Sequence, residues 1–148
     1  MRIKELMKKN VWTLKKHQSI YEASVLMRIH DIGSIVIVDD SFNVEGIITD
    51  RDILIFYSKH HYLDAKIEDA MTKSVLTINE NEYPEDVSDL MGYAQIRRVP
   101  IVNDDGKLKG IVSLGDLAIN KKLDELSKEA LTEISVSYND KPLNSTFY

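Results

Sequence analysis

An internal repeat is the feature that most constrains how this chain of 148 residues folds. Shifting the sequence by 64 residues, the separation of Gly46 and Gly110, aligns residues 3–52 with residues 67–116 without a gap. The matched pairs include Met7/Met71, Val11/Val75, Thr13/Thr77, Met27/Met91, Ile32/Ile96, Ile37/Ile101, Val38/Val102, Asp40/Asp104 and Ile47/Ile111. An ungapped run of this kind indicates an internal duplication, with the two repeats related by an approximate twofold axis.

Each repeat predicts the same order of elements: helix, strand, helix, strand, strand, helix. In the second repeat, apolar residues fall at i, i+3, i+4 and i+7 from Val87 to Ala94, the pattern of an amphipathic helix. The β-rich runs Ser34–Val38 and Arg98–Val102 are each followed by turn residues and a further strand. Closing helices are predicted to start near Asp50 and Leu114. The remaining predicted elements are leading helices at Ile3–Lys8 and Ile67–Met71 and short strands around Val11–Leu14 and Val75–Ile78.

The predicted fold is α/β (α+β), with two tandem repeats that each form a small sheet with flanking helices. About 60 residues bury too little core to fold well alone, so we expect the two sheets to pack face to face with the helices outside. The predicted boundaries are residues 1–60 for the first repeat and 61–123 for the second. Residues 124–148 are predicted to be a C-terminal helix extension followed by a loose tail.

Composition argues against several classes of function. The net charge of −5 gives no overall attraction to nucleic acid or anionic lipid. The absence of cysteine excludes disulfides, cysteine-based zinc sites and thiol catalysis. No stretch approaches the roughly 18 apolar residues that span a bilayer, and no signal peptide is visible, so we expect a cytoplasmic protein. His60 and His61 have no third ligand nearby in sequence, and no nucleophile–base set is visible, so we expect neither a metal site nor an enzyme.

The most informative motif ends the second long strand of each repeat. Gly46–Asp52 and Gly110–Asp116 share the pattern Gly-apolar-apolar-Thr/Ser-x-x-Asp. A hydroxyl residue followed three positions later by an acid is close to a capping box, which only satisfies free helix amides. The same pattern also groups a hydroxyl, a carboxylate and free amides, which suit the ribose and phosphate of a nucleotide. Recurrence at the same register in both repeats favours the second interpretation.

At these residues the chain resembles the CBS domain family, named after cystathionine β-synthase, over about residues 1–123. The resemblance rests on the motif above and on the strands ending in Val38-Asp39 and Val102-Asn103, each followed 13 residues later by Asp52 or Asp116. It implies a regulatory module without catalytic residues, whose two clefts bind AMP, ADP, ATP or S-adenosylmethionine as a regulatory ligand. No cofactor is required.

The resemblance also implies roles for individual residues. Asp52 and Asp116 would hold the ribose hydroxyls, with Thr49 and Ser113 assisting. The phosphates would meet cations near the axis that relates the repeats, and these cations are Arg51, Arg97 and Arg98. The base would lie in the first repeat against Met7, Val11, Trp12, Ile32, Gly33 and Ser34. In the second repeat it would lie against Met71, Val75, Leu76, Ile96, Arg97 and Arg98.

The two repeats are not equivalent in sequence, and this leaves alternatives open. Trp12, whose counterpart is a leucine, would either stack on a base or fill its cleft. The complete Thr-Asp-Arg-Asp run of residues 49–52 favours the first cleft as the tighter site. Binding in a homodimer that signals to an effector protein is the leading hypothesis. A dimeric scaffold without ligand is the second, and a nucleic-acid binder that uses Arg97 and Arg98 is less favoured.

Overall fold

A computed structural model describes residues 1–120 and 123–139, and for residues 136–139 it describes the backbone alone. The helices are α1 (Ile3–Leu6), α2 (Ile20–His30), α3 (Asp50–His60), α4 (Pro84–Ala94), α5 (Leu114–Ile119) and α6 (Asp124–Asn139), with a 3₁₀ turn at Ile67–Asp69. The strands are β1 (Thr13–Leu14), β2 (Ser34–Val38), β3 (Val44–Thr49), β4 (Ile78–Asn79), β5 (Arg98–Val102) and β6 (Leu108–Ser113). The predicted fold class is confirmed: the described chain holds two three-stranded sheets with flanking helices.

The two sheets have the same topology, as the repeat predicts. Their strand orders are β1-β2-β3 and β4-β5-β6. In each sheet the short first strand runs parallel to the second, and the second pairs antiparallel with the third. Ser34 pairs with Thr49 at the end of the first sheet, and Arg98 pairs with Ser113 at the corresponding end of the second. The hydroxyl residues of the repeated motif, Thr49 and Ser113, therefore lie at equivalent ends of the two sheets.

The chain divides into two compact units whose limits differ from those of the sequence repeats. One unit is residues 11–75, called here the first unit. The second unit combines residues 1–10 with the described chain from Leu76 onward. Each repeat thus gives its leading segment to the unit that contains the other repeat's sheet. The repeat limits 1–60 and 61–123 remain a prediction about the sequence, whereas the units describe packing.

Each unit has its own apolar core. The buried core of the first unit consists of Leu14, Ile20, Ala23, Met27, Ile35, Ile37, Ile48, Ile53, Phe56 and Ile67. That of the second unit consists of Ile3, Met7, Val87, Met91, Ala94, Ile96, Val99, Ile101, Val112, Leu117, Leu123, Ala130 and Ile134. β-branched residues dominate the strands in both, as expected where a pleated surface is buried.

Helix α6 lies outside the repeat and covers part of the second unit. It packs on α4 and α5 and buries Ala130 and Ile134. The Ser88 hydroxyl of α4 donates a hydrogen bond of 2.8 Å to the carbonyl oxygen of Leu126. Gly92 of α4 leaves the space that the Glu133 side chain occupies. The sequence predicted helix at residues 125–134, and α6 is a helix separate from α5, because Asn120 between them is extended. Residues 140–148 of the predicted tail lie outside the described chain.

Candidate functional site

The first candidate cleft lies where β3 gives way to α3 in the first unit. Thr49 ends β3 and caps α3, and it pairs with Ser34 at the start of β2. The Asp50 amide donates to the carbonyl oxygen of Gly33 at 3.0 Å, which fixes the helix start against the loop before β2. Trp12 directly precedes β1, which runs parallel to β2. The structure therefore brings the predicted residues of β2, β3 and α3 to one end of the sheet.

Thr49 and Asp52 form a complete capping box. The Thr49 amide donates to Oδ2 of Asp52 at 2.9 Å, and the Asp52 amide donates to the Thr49 hydroxyl at 3.1 Å. Thr49 is buried, with 5% of its surface exposed. The capping role that the motif suggested is thus real, and it engages only one oxygen of the Asp52 carboxylate. Within the described chain, no hydrogen bond or ion pair reaches Oδ1 of Asp52.

Partial burial of Asp52 has an electrostatic consequence. Desolvation raises the pKa of the Asp52 carboxyl above its ordinary value of 3.8, and the hydrogen bonds from Thr49 and the charge of Arg51 offset this only in part. A carboxylate in this state gains from any further donor, since hydrogen bonds to the charged form restore solvation that burial removed. A pair of neighbouring hydroxyls on a sugar would supply such donors at Oδ1.

An aromatic stack borders this end of the first sheet. The Trp12 indole lies on the His30 imidazole, with ring centroids 3.8 Å apart and an interplanar angle of 18°. Trp12 still exposes 47% of its surface. No motif in the sequence marks His30, and its contact with Trp12 was not predicted. The stack holds the indole in a fixed place, so half of its surface remains available to a flat base.

The second candidate cleft repeats the capping geometry in the second unit. The Ser113 amide and hydroxyl donate to Oδ2 of Asp116 at 2.7 and 2.8 Å, and the Asp116 amide donates to the Ser113 hydroxyl at 3.2 Å. The Leu114 amide donates to the carbonyl oxygen of Arg97 at 2.8 Å, as Asp50 does to Gly33. The two motifs therefore fold alike at the level of the backbone.

Lys8 makes the second cleft different from the first. Its ammonium lies 3.0 Å from Oδ1 of Asp116, whose side chain is only 9% exposed. Both carboxylate oxygens of Asp116 therefore have donors within the chain. Lys8 was not predicted as a site residue, although the sequence holds one signal: its repeat counterpart is Thr72, so the match between the repeats fails at this position.

The structure corrects the predicted placement of the two methionines. The family resemblance implied that Met7 lines the cleft of the first repeat and Met71 that of the second. In the structure Met7 packs against Gly110 of β6, and Met71 packs against Gly46 of β3. The reason is the exchange of leading segments, because the residue after each methionine bridges to the strand of the other repeat: Lys8 to Ile111, and Thr72 to Ile47.

The other predicted base contacts differ in exposure. Val11, Ile32 and Gly33 are half-buried in the first unit. Ile96 is fully buried in the core of the second unit, so its side chain is not accessible to a ligand. Val75 ends the first unit and Leu76 begins the second stretch of the other unit.

A groove beneath α6 collects the predicted phosphate-binding arginines of the second unit. Its volume is about 550 Å³. It is lined by Arg97, Arg98, Ser113, Leu114, Gly115, Ala118, Asp124, Ser127, Lys128 and Leu131. Lys128 pairs with Asp124 at 3.1 Å, so the two charged side chains that α6 contributes to this lining offset each other. Arg51, the predicted phosphate-binding arginine of the first unit, is exposed at the start of α3. Its repeat counterpart is Gly115.

The described part of the chain shows neither a cluster of metal ligands nor a helix that could span a membrane. Across residues 1–120 and 123–139 no group of three His, Asp or Glu side chains is arranged to hold a metal ion. Over the same residues no helix is long and apolar enough to cross a membrane. His60 and His61 instead pack near aromatic rings, those of Phe56 and Tyr57.

Comparison with known proteins agrees with this geometry. The profile of the CBS domain matches residues 3–59 and 67–120. The CBS domain-containing protein YhcV of Bacillus subtilis is 39% identical over 134 residues, covering 90% of this chain and 94% of YhcV. Inosine-5'-monophosphate dehydrogenase of Methanocaldococcus jannaschii is 30% identical over 125 residues, which cover 84% of this chain but only 24% of that enzyme.

Solved structures show the same fold. The CBS domain pair of protein MJ0100, in complex with 5'-methylthioadenosine and S-adenosyl-L-methionine, is 31% identical, with a TM-score of 0.72 over 80% of this chain and 94% of that chain. The CBS domain protein PAE2072 of Pyrobaculum aerophilum, complexed with AMP, has a TM-score of 0.79 over 86% of this chain and 99% of that chain, and its 24% identity supports the fold alone. The chain therefore belongs to the CBS domain family and carries two CBS domains in tandem.

Proposed function

We propose that this protein is a non-catalytic regulatory module that binds an adenosine-containing ligand in its first cleft and signals to a partner protein. The observation that carries the proposal is the partly buried Asp52 carboxylate, whose Oδ2 is held by Thr49 while Oδ1 has no donor within the described chain. Ribose offers two adjacent hydroxyl donors, and Oδ1 of Asp52 has two lone pairs with which to accept from them. The adjoining Trp12 surface suits an adenine ring.

The comparisons support the ligand class. The MJ0100 domain pair, at 31% identity, binds S-adenosylmethionine and 5'-methylthioadenosine. These ligands and AMP share adenosine, and they differ in what is attached at the 5' position. Arg51 at the start of α3 would meet a phosphate there. We therefore propose AMP, ADP, ATP and S-adenosylmethionine as candidate ligands of this chain.

Thermal unfolding of the nucleotide-stripped protein tests the proposal. With AMP, ADP, ATP or S-adenosylmethionine at about 100 times the dissociation constant, the free energy of unfolding should rise by roughly 2.7 kcal/mol. GTP is the matched control, since it keeps the ribose and phosphates and changes the base. No change with any of the adenosine-containing ligands would contradict the proposal and favour a scaffold that acts through protein contacts alone.

The second part of the proposal is that the module acts as a homodimer. Helices α2 and α3 pack on each other, and both expose apolar side chains: Tyr21 and Ile29 on α2, Leu54 and Tyr57 on α3. Their repeat counterparts α4 and α5 pack in part against α6, although Tyr93 on α4 and Ile119 on α5 remain exposed. A twofold interface places the same surface of each molecule against itself, so apolar side chains near the axis meet their own copies without like-charge repulsion. We therefore propose a second molecule of this chain as the occupant of the α2–α3 face.

Leu54→Glu tests this interface. Leu54 is 67% exposed, so a glutamate is tolerated in the isolated molecule but would bury two carboxylates against each other in the dimer. Light scattering after size exclusion should give a dimer for the wild type and a monomer for the variant. Ile119→Glu, at an apolar position on α5 that is 82% exposed, is the control and should stay dimeric. A monomeric wild type, or a dimeric Leu54→Glu, would contradict this interface.

A further inference from the structure

The contact between Lys8 and Asp116 has no counterpart in the first cleft. Lys8 lies 3.0 Å from Oδ1 of Asp116, while Ser113 donates twice to Oδ2. Among the described residues, Asp52 receives a hydrogen bond only at Oδ2, from Thr49. The carboxylate that would hold a ribose is thus fully engaged in the second cleft and half engaged in the first.

Lys8 is fixed in position by its backbone. Its amide donates to the carbonyl oxygen of Ile111 and its carbonyl oxygen accepts from the Ile111 amide, both at 3.0 Å. Met7, the preceding residue, packs directly on Gly110 of the same strand. The Cα of Lys8 therefore stays beside β6, and its ammonium remains within reach of Asp116 although the side chain is 67% exposed.

Thr72 occupies the corresponding place beside the first sheet. The amide of Thr72 donates to the carbonyl oxygen of Ile47 at 2.9 Å, and the amide of Ile47 donates to that of Thr72 at 3.0 Å. The backbone geometry of the two leading segments is thus the same, but threonine is short and carries no charge. The two clefts therefore differ by one side chain at an equivalent backbone position.

We propose that Lys8 limits this module to one adenosine-containing ligand per chain, by pairing with the carboxylate that the second cleft would need for ribose. The inference rests on the proposed function and deepens it, since it states which cleft is open. An ammonium and a ribose hydroxyl both donate charge-assisted hydrogen bonds to a carboxylate, but only the ammonium adds the attraction of a full positive charge. A ligand in the second cleft must therefore displace a stronger donor than it supplies.

Exchanging the two side chains tests the proposal. Isothermal titration with AMP and, separately, with S-adenosylmethionine is carried out on the wild type, Lys8→Thr, Thr72→Lys and the double variant. We expect one ligand per chain for the wild type and two for Lys8→Thr, with the affinity of the second cleft raised at least about tenfold. Thr72→Lys should lower the affinity of the first cleft by at least about tenfold. The double variant should again bind one ligand, now in the second cleft.

Asp116→Asn in the Lys8→Thr background assigns the new site, because it should return the stoichiometry to one. Two equal sites in the wild type, an unchanged stoichiometry in Lys8→Thr, or weaker second-site binding after loss of Lys8 would each overturn the inference while leaving the proposed function intact. The last of these results would make Lys8 a ligand contact. Absence of binding in all variants would overturn the proposed function and this inference together.

Discussion

Asp52→Ala abolishes the stabilisation of this protein by adenosine-containing ligands, whereas Asp116→Ala leaves it unchanged. The reason is that Asp52 offers an unengaged oxygen and Asp116 does not. Each hydrogen bond to a charged group contributes about 1.5–3 kcal/mol, so losing both ribose hydroxyl contacts weakens binding by roughly a hundredfold or more. The measurement is the ligand-dependent change in unfolding free energy, taken for each variant with and without ligand.

Both alanine variants also lose the half of the capping box in which the carboxylate accepts from the backbone amide of Thr49 or Ser113, which costs about 1–3 kcal/mol in the ligand-free protein. Each variant is therefore compared by the difference between its unfolding free energies with and without ligand, and not by its unfolding midpoint alone. Asp52→Asn is the finer control, because an amide oxygen still accepts from the Thr49 backbone while the charge is removed. Retention of the full ligand effect in Asp52→Ala would show that the ligand binds elsewhere.

Gly110→Ala lowers the free energy of unfolding by about 1–3 kcal/mol, the usual cost of overpacking a tight contact. A Cβ on Gly110 would lie 2.6 Å from the Met7 sulfur and 2.8 Å from the carbonyl oxygen of Lys8. The sulfur can move, but the carbonyl is held by its hydrogen bond to Ile111. The substitution therefore pushes the leading segment away from β6. Gly46→Ala should behave alike, since Met71 and Thr72 approach it just as closely.

Gly115→Ala is the matched control and should stabilise the protein by about 0.5–1 kcal/mol. Gly115 lies within α5, and its Cβ would meet nothing nearer than the Ser113 hydroxyl at 3.6 Å. Alanine at such a site removes backbone freedom from the unfolded chain without strain. Chemical denaturation of the three variants gives the comparison. Equal stability of Gly110→Ala and Gly115→Ala would contradict the tight contact at β6.

Much of each sheet could be predicted from the sequence, because the pattern of apolar residues along a strand and the residues of a turn are both set within a short segment. The starts of α3 at Asp50 and of α5 at Leu114 were predicted, since a hydroxyl residue followed by an acid at the third position marks a helix start. The pairing of Ser34 with Thr49, and of Arg98 with Ser113, follows from two strands joined by a short turn.

The exchange of leading segments could not be predicted from the repeat. The repeat period of 64 residues would be the same whether Met7 packed on the sheet of its own repeat or on that of the other repeat. The alignment of the repeats therefore does not distinguish these two arrangements. The choice is made by the backbone hydrogen bonds of Lys8 and Thr72 to β6 and β3. For the same reason the ion pair between Lys8 and Asp116, over 100 residues apart in sequence, left no local signal beyond the mismatch with Thr72.

The packing of α6 on α4 and α5 also could not be predicted from the repeat. Its helical character was visible in the sequence, but its place on α4 and α5 depends on Ser88 and on the missing side chain of Gly92. Their repeat counterparts, Ser24 and Arg28, lie on a helix that α6 does not cover. The small residues of α4 are the signal that, in hindsight, marks a packed helix face.

An amide-resolved NMR titration of the wild-type protein determines whether an adenosine-containing ligand binds in the first cleft. AMP and S-adenosylmethionine would each be added in turn while the backbone amides and the single tryptophan indole, that of Trp12, are followed. If the ligand binds there, we expect saturable chemical-shift changes centred on the amides of Gly33, Thr49 and Asp52 and on the Trp12 indole. Saturation with these signals unmoved, or no shift anywhere at either ligand's highest concentration, would contradict binding in the first cleft.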